Sequence, residues 1–104
     1  MPQVIEIGSI ETKNIKIDGK NAVGVKVGLE GAPLLLIIAS KGYVVCGYLN
    51  LETAEKFGQV AAIVTGVKSF DDVLSAKVAK LTMKAKELGI KEGMAGRDAL
   101  NRMF

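Results

Sequence analysis

The sequence predicts an α+β domain: a mainly antiparallel sheet of about five strands, with a long helix at about 70–88 and two short helices packed on it. Before residue 50 the apolar residues recur mostly with the two-residue period of strands, and after it mostly with the period of helices. Hydrophobic residues make up 49% of the 104 residues but aromatic ones only 5%, so the core is expected to be aliphatic. No linker, repeat or low-complexity tract interrupts residues 1–104, which predicts a single domain.

The first strands are short and separated by turns. Residues 4–7 and 12–17 are predicted strands, and residues 18–21, with the sequence D-G-K-N, are a predicted turn, because Asp and Gly tolerate turn dihedrals. Residues 23–29 alternate Val or Leu with small or charged residues, which indicates a strand with one buried face. Gly24 inside this pattern favours close packing or a bulge.

Two nearly continuous apolar runs follow, at residues 34–39 and 43–49. They are predicted to form a hairpin of central strands covered on both faces. Ser40, Lys41 and Gly42 join them, and we expect Gly42 to adopt a left-handed conformation in the turn.

The period then changes. Asn50 is a predicted N-cap for a short helix over residues 51–57, which ends at Gly58. Residues 60–65 form a short, apolar run that is β-branched at Val60, Ile63 and Val64, which favours a strand, although two adjacent alanines keep a helical alternative open.

The strongest predicted element is a helix over residues 70–88, whose apolar residues fall on one stripe. Ser69 is followed three residues later by Asp72, which resembles a capping box. Gly89 is expected to end this helix, and a last short helix is predicted over residues 97–103.

Composition narrows the partners and the compartment. The net charge of +3 comes from 14 basic and 11 acidic residues spread along the chain, so nucleic-acid binding is not expected. One cysteine cannot form an internal disulfide, no apolar run is long enough to cross a membrane, and the first residues lack a signal pattern, which together predict a cytoplasmic protein. The absence of histidine and the high content of Lys and Glu favour a thermophilic source.

Several kinds of chemistry are excluded by residues the sequence lacks. Without histidine there is no Ser-His-Asp triad, no Cys-His pair and no histidine metal site, and one cysteine cannot build a thiolate zinc site. There is no Walker loop, and no Gly-rich dinucleotide motif opens a helix, so no cofactor or metal is expected.

Cys46 is the remaining candidate nucleophile. Its neighbours Val45 and Gly47 are uncharged, and a buried cysteine usually serves as a small, unreactive core residue. We favour the core role for Cys46; the alternative is that its thiol is a catalytic nucleophile. Strand alternation would place Asn50 on the same face as Cys46, which makes Asn50 a candidate ligand-binding residue.

Two helix starts are further candidates for binding. Lys68, Ser69 and Asp72 lie where a loop enters a predicted helix, and free N–H groups at such a position can hold an anion, although capping explains the same residues. Arg97 follows Gly96 at the start of the last helix and could clamp a carboxylate or phosphate; the alternative is a surface arginine that is solvated or paired locally.

Three segments together resemble the YunC-like family, a small bacterial and archaeal domain of unknown function. They read K-G-Y-V-V-C-G-Y-L-N-L-E-T-A-E-K-F-G, A-A-I-V-T-G-V-K-S-F-D-D-V-L and L-G-I-K-E-G-M-A-G-R-D-A-L, and the similarity runs from about residue 15 to 103. The resemblance implies a compact α+β domain of this length and no established activity. Cys46, Asn50, Asp72 and Arg97 fall inside the segments that resemble the family.

These observations favour a non-catalytic module that binds a metabolite or a protein. Continuous apolar strands in so short a chain also predict a homo-oligomer. One alternative is an enzyme that uses Cys46 as its nucleophile. Another is a protein that binds an anion or nucleotide at the helix starts near Ser69 and Gly96.

Overall fold

The computed structural model describes residues 10–104, in which one six-stranded sheet carries four short helices. The strands are β1 (Ile10–Ile17), β2 (Lys20–Val27), β3 (Leu34–Ile38), β4 (Tyr43–Val45), β5 (Ala61–Ile63) and β6 (Lys80–Leu81), and they lie side by side in chain order. The helices are α1 (Leu51–Lys56), α2 (Phe70–Ser75), α3 (Met83–Glu87) and α4 (Gly96–Asn101). The predicted α+β class and mainly antiparallel sheet are confirmed; the strand predicted at residues 4–7 lies outside the described residues.

The turn between β1 and β2 is the one predicted. Ile17 pairs with Lys20, so Asp18 and Gly19 alone connect the strands. Both have positive φ, 50° and 83°, as a two-residue turn of type I′ requires. Gly24 in β2 is also explained: a Cβ there would lie 2.7 Å from side-chain atoms of Ile15 and of Phe70, so a larger residue would require these side chains to move.

The hairpin of β3 and β4 is present, but two details differ from the prediction. Gly42 does not have positive φ; glycine is needed because a Cβ would lie 2.5 Å from the carbonyl oxygen of Val60. Strand β4 ends at Val45, earlier than residue 49. The turn of this hairpin also contacts the end of the chain, since the Lys41 N–H donates to the Met103 carbonyl at 2.7 Å.

Helix α1 connects β4 to β5, the one parallel pair of strands in residues 10–104. Asn50 caps it as predicted, because its Oδ1 accepts the Thr53 N–H at 3.3 Å. Gly58, with φ of 66°, follows its end. Leu51 of α1 and Ile63 of β5 line the same cleft, so α1 lies on one face of the sheet beside β5. Helices α2 and α4 cover the other face, where α2 contacts β3 and α4 contacts β1 and β4.

The long helix predicted at residues 70–88 is wrong. Helix α2 ends at Ser75, the backbone at Ala76 is extended, and Ala79 donates its N–H to the Ile63 carbonyl at 2.8 Å. The chain then pairs with β5 as β6 before α3 begins. The apolar residues keep a helical spacing within α2 and within α3. The helical period seen in the sequence therefore comes from two short helices rather than from one long helix.

Thr82 explains where the break falls. It is fully buried, and its hydroxyl donates to the Gln59 carbonyl at 2.8 Å while accepting the N–H groups of Ala61 at 3.1 Å and Ala85 at 3.3 Å. The side chain therefore caps α3 and closes the end of the β5–β6 pairing. A helix running through residue 82 would leave these buried polar groups without partners, which is costly.

No helix within residues 10–104 is long and apolar enough to cross a membrane.

Candidate functional site

An open groove of about 300 Å³ lies beyond the carboxyl ends of β4 and β5. Three segments form it: the loop between β2 and β3, the turn after β4, and the loop that leads from β5 to α2. We call it the Cys46 groove, and its lining residues are Ala32, Pro33, Cys46, Gly47, Tyr48, Gly66, Val67 and Lys68. In open α/β sheets, ligands bind in the crevice outside the carboxyl ends of the parallel strands. The groove occupies the equivalent position next to the parallel pair.

Cys46 lies at the floor of the groove and is 5% exposed. Its N–H donates to the Leu35 carbonyl at 3.0 Å, and its Sγ accepts the Leu35 N–H at 3.4 Å. The Cys46 carbonyl turns away and accepts the Leu49 N–H at 3.4 Å. The sulfur thus takes the place of a backbone carbonyl at the end of the β3–β4 ladder, and the turn that forms the groove starts there.

The groove offers the thiol little catalytic help. Among its lining residues in the described part of the chain, the only cationic side chain is Lys68, and none is a carboxylate. Residues 10–104 contain no group of three or more Cys, Asp or Glu side chains placed to hold a metal ion. The arrangement suits a bound molecule held by apolar contacts and one positive charge better than a nucleophile that needs a general base.

Tyr48 and Gly66 shape the two sides of the groove. The Tyr48 hydroxyl donates to the Ala32 carbonyl at 2.9 Å, which joins the turn after β4 to the loop before β3. About half of the Tyr48 side chain remains exposed, so its ring forms part of the wall. Gly66 has φ of 72°, and this left-handed residue turns the chain from β5 into the segment that carries Lys68.

The candidates at the start of α2 have separate tasks. Ser69 Oγ accepts the Asp72 N–H at 3.1 Å, and the Asp72 carboxylate accepts the Lys68 N–H at 3.0 Å. Ser69 and Asp72 therefore cap the helix, and the carboxylate also fixes the backbone at Lys68. Of these three predicted ligand-binding residues, only Lys68 lines the groove.

Asn50 and Arg97 are not part of the groove lining. Asn50 uses its side chain to cap α1. Arg97 does bind a carboxylate, but that carboxylate belongs to Asp18 in the β1–β2 turn, with Nη2 and Oδ1 3.2 Å apart. Asn101 donates to the other oxygen of Asp18 at 2.6 Å. The hydrogen bond from Asn101, followed by that from Arg97, holds the pKa of Asp18 below its usual value.

The start of α4 near Gly96 is occupied by the fold itself. The Gly96 N–H donates to the Ala76 carbonyl at 2.8 Å, and a Cβ at residue 96 would lie 2.1 Å from the Val73 carbonyl oxygen. Glycine is required because α4 begins directly against the end of α2.

Sequence reasoning does not identify Ala32, Pro33 and Val67 as site residues. They are small or apolar and carry no chemical signal. Ala32 and Pro33 join the groove because β3 pairs with β4, and Val67 joins it because β4 and β5 pair in parallel. Residues 30–33 have the sequence E-G-A-P, which predicts a turn before β3 but not the segment that this turn faces.

Comparison with known proteins gives three similarities. Residues 45–103 match the family model "Domain of unknown function (DUF1805)". The chain is 36% identical over 94 residues to the uncharacterized protein YunC of Bacillus subtilis (strain 168), covering 86% of this chain and 93% of that protein. It also resembles the crystal structure of TA1206, a protein of unknown function from Thermoplasma acidophilum, with a TM-score of 0.90 and 40% identity over 98% of this chain and all of the other.

Proposed function

The chain belongs to the DUF1805 family, and from that premise we propose that it is a non-catalytic module that binds a small metabolite in the Cys46 groove. The YunC-like resemblance expected from its sequence is confirmed. The observation that carries the proposal is the position and lining of the groove, which lies at the carboxyl ends of a parallel strand pair and is apolar except for Lys68. The ligand class that fits is a compact molecule with an apolar body and a single anionic group.

The apolar body is expected to contact the walls of the groove. Pro33, Val67 and the ring of Tyr48 present carbon surface, and the volume is at the lower end of the range of ligand pockets. Burial of apolar surface stabilises such a complex by about 25 cal/mol for each Å² removed from water. A large cofactor would extend well beyond these walls, so a small metabolite is favoured.

The anionic group is expected to pair with Lys68. Its ammonium is a flexible point charge and attracts a carboxylate or a phosphate without demanding one geometry. Because the Lys68 N–H donates to Asp72 at 3.0 Å, the backbone is held in place while the side chain is free to follow the ligand.

Cys46 then has a structural task at the floor of the site. Its sulfur accepts the Leu35 N–H and is nearly buried, and the neighbouring Gly47 leaves room above it for a ligand. This accounts for a thiol at the base of the groove without assigning it a covalent step.

A thermal-shift panel tests the proposal. We would screen small carboxylates and monophosphates with apolar bodies of graded size, since a ligand at 100 times its Kd stabilises the folded state by about 2.7 kcal/mol, or roughly 10 °C or more in Tm. Lys68→Met should weaken binding of the active compound about tenfold or more, because it keeps the side-chain length and removes the charge.

Lys84→Met is the matched control, because Lys84 is exposed on α3 and does not line the groove. It should bind as the unchanged protein does. A panel in which no compound shifts Tm, or a Lys68→Met variant that retains full affinity, would overturn the proposal.

A further inference from the structure

One face of β1, β2 and β3 is uncharged over most of its length and is aliphatic along residues 23–27 and 34–38. The register places cross-strand neighbours in three rows, in which Val27, Val25 and Val23 of β2 each lie between a residue of β1 and one of β3. We call this surface the open face, and its residues are Ile10, Thr12, Asn14, Val23, Val25, Val27, Leu34, Leu36 and Ile38.

Within residues 10–104, no helix covers the open face. Helices α2 and α4 pack on the opposite face of the sheet, and α1 lies beside β5. Ile10 is 76% exposed, Val23 46% and Ile38 41%, although each has aliphatic neighbours in its row.

The other face of the same strands makes this exposure informative. That face, on the side of α2 and α4, carries the buried core residues Ile17, Leu35 and Ile37. The helix side thus holds the core, and the open face is aliphatic as well. An antiparallel sheet with one solvated face normally turns polar residues toward water. An exposed aliphatic face is expected where a partner covers it.

The chemistry of the open face favours a partner of the same kind. Of the charged side chains in these three strands, only Lys16 lies on the side of the open face, next to the turn between β1 and β2. No carboxylate of these strands lies on that side. The face thus has no row of cations for a nucleic acid and no charges to select an amphipathic helix. A neutral aliphatic surface is matched by a second neutral aliphatic surface, and a two-fold axis supplies one without a second gene product.

We propose that two copies of the chain pack their open faces together across a two-fold axis. Each copy would bury the same strands, with Val25 near the centre and Lys16 at the rim in water. Sheets that pack in this way lie about 10 Å apart, with strand directions about 30° from one another. The proposal is independent of any ligand in the Cys46 groove, since none of the residues of the open face line that groove.

The size of the face sets the expected affinity. The open face spans five residues of each strand, and five residues at about 3.3 Å each with three strands about 4.8 Å apart give a face of roughly 16 by 14 Å. This is smaller than the area of a standard interface, which buries about 800 Å² on each partner. We therefore expect a dimer that dissociates in the micromolar range.

Sedimentation velocity over about 5 to 200 µM tests the proposal. The unchanged protein should pass from a monomer of 11.0 kDa to a species of about twice that mass as concentration rises. The double variant Val23→Lys with Ile38→Lys should remain monomeric, because each lysine would place a charge in an apolar contact. Ser75→Lys adds one lysine at an exposed position of α2, on the covered side of the sheet, and should dimerise normally.

Folding is checked separately. Val23 and Ile38 are exposed enough for lysine to reach water in the monomer, so the variant should keep its far-UV circular dichroism and, at 5 µM, its Tm within a few degrees. If the lysines prevent folding, Val23→Thr with Ile38→Thr replaces them, and this pair should raise the dimer Kd about tenfold or more. A monomer at every concentration would overturn the proposal, as would open-face variants that dimerise like the unchanged protein.

Discussion

The two regions of the molecule are stabilised in different ways. From β1 to β3 the chain forms two eight-residue strands and one five-residue strand in an uninterrupted antiparallel register. From β4 to α4 no element exceeds six residues. The first region depends on repeated backbone hydrogen bonds, whereas the second depends on particular side chains at the junctions between short elements.

The helix starts of the second region illustrate this dependence. Side chains of Asn50, Ser69 and Thr82 cap α1, α2 and α3, and caps of this kind each stabilise by about 1 kcal/mol. Helix α4 has no side-chain cap and begins instead in close contact with α2 at Gly96. Single substitutions at these junctions should therefore destabilise the protein more than substitutions at the exposed positions of the strands in the first region.

Gly96→Ala is expected to have the largest effect. Its Cβ would lie 2.1 Å from the Val73 carbonyl oxygen, and because that atom belongs to the backbone, α2 and α4 would have to separate. We expect a loss of about 3 kcal/mol or more in the free energy of unfolding, measured by urea denaturation.

Gly47→Ala is the control for Gly96→Ala. The nearest atom to a Cβ at Gly47 is Cγ2 of Thr65 at 3.8 Å, which is an ordinary contact. This variant should lie within about 1 kcal/mol of the unchanged protein. Equal losses for the two glycines would contradict the importance of the junction between α2 and α4.

Thr82→Val comes next. Valine has nearly the same shape but lacks the hydroxyl, so the buried N–H groups of Ala61 and Ala85 and the Gln59 carbonyl would lose a partner. We expect a loss of about 2 to 3 kcal/mol and faster amide hydrogen exchange at Ala61 and Ala85.

Thr53→Val makes the same chemical change at an exposed site on α1, where the structure shows no hydrogen bond from the hydroxyl. It should change the free energy of unfolding by no more than about 0.5 kcal/mol. A Thr82→Val variant as stable as this control would show that the buried hydroxyl is not what fixes the break between α2 and α3.

The smallest effect is expected at Asp18, which connects the two regions. Its folded-state pKa lies below the ordinary 3.8, because Asn101 and then Arg97 stabilise the charged form. A carboxyl with a lowered pKa stabilises the folded state above its unfolded pKa, and that contribution is lost as the pH falls through the folded pKa. The pair is exposed, so the contribution is small.

Asp18→Asn tests this contribution, because Asn tolerates positive φ in the turn and removes the charge. The difference in unfolding free energy between the unchanged protein and this variant should be constant at neutral pH and shrink below about pH 4. Urea denaturation from pH 2 to 7 would measure it. A difference that does not vary with pH would show that the ion pair makes no contribution.

The first region was more predictable from sequence than the second for a physical reason. In β2 the alternation spans enough residues to reveal its period, and the D-G turn has a specific conformational requirement that the structure meets. Strand β6 has two residues, too few for any period to appear. The break after Ser75 depends on Thr82 contacting Gln59 and Ala61, which a periodic pattern cannot reveal.

The candidate site shows the same limit. Cys46 and Lys68 stand out in the sequence for their chemistry, but only the parallel pairing of two three-residue strands brings them to one groove. Asn50 stands out for the same reasons and serves as a helix cap. Local patterns predicted caps and turns well, whereas the grouping of loops into a groove required the topology.

The bonds between Asp18 and the last helix also bear on the order of folding. Arg97 and Asn101 lie 79 and 83 positions beyond Asp18, and the Met103 carbonyl accepts the N–H of Lys41 in the second hairpin turn. Both hairpins can therefore form while the chain is still emerging from the ribosome, but their turns can be anchored only after α4 has been synthesised. Contacts so distant in sequence slow folding, and here they delay completion of the fold until residues 97–103 have been synthesised.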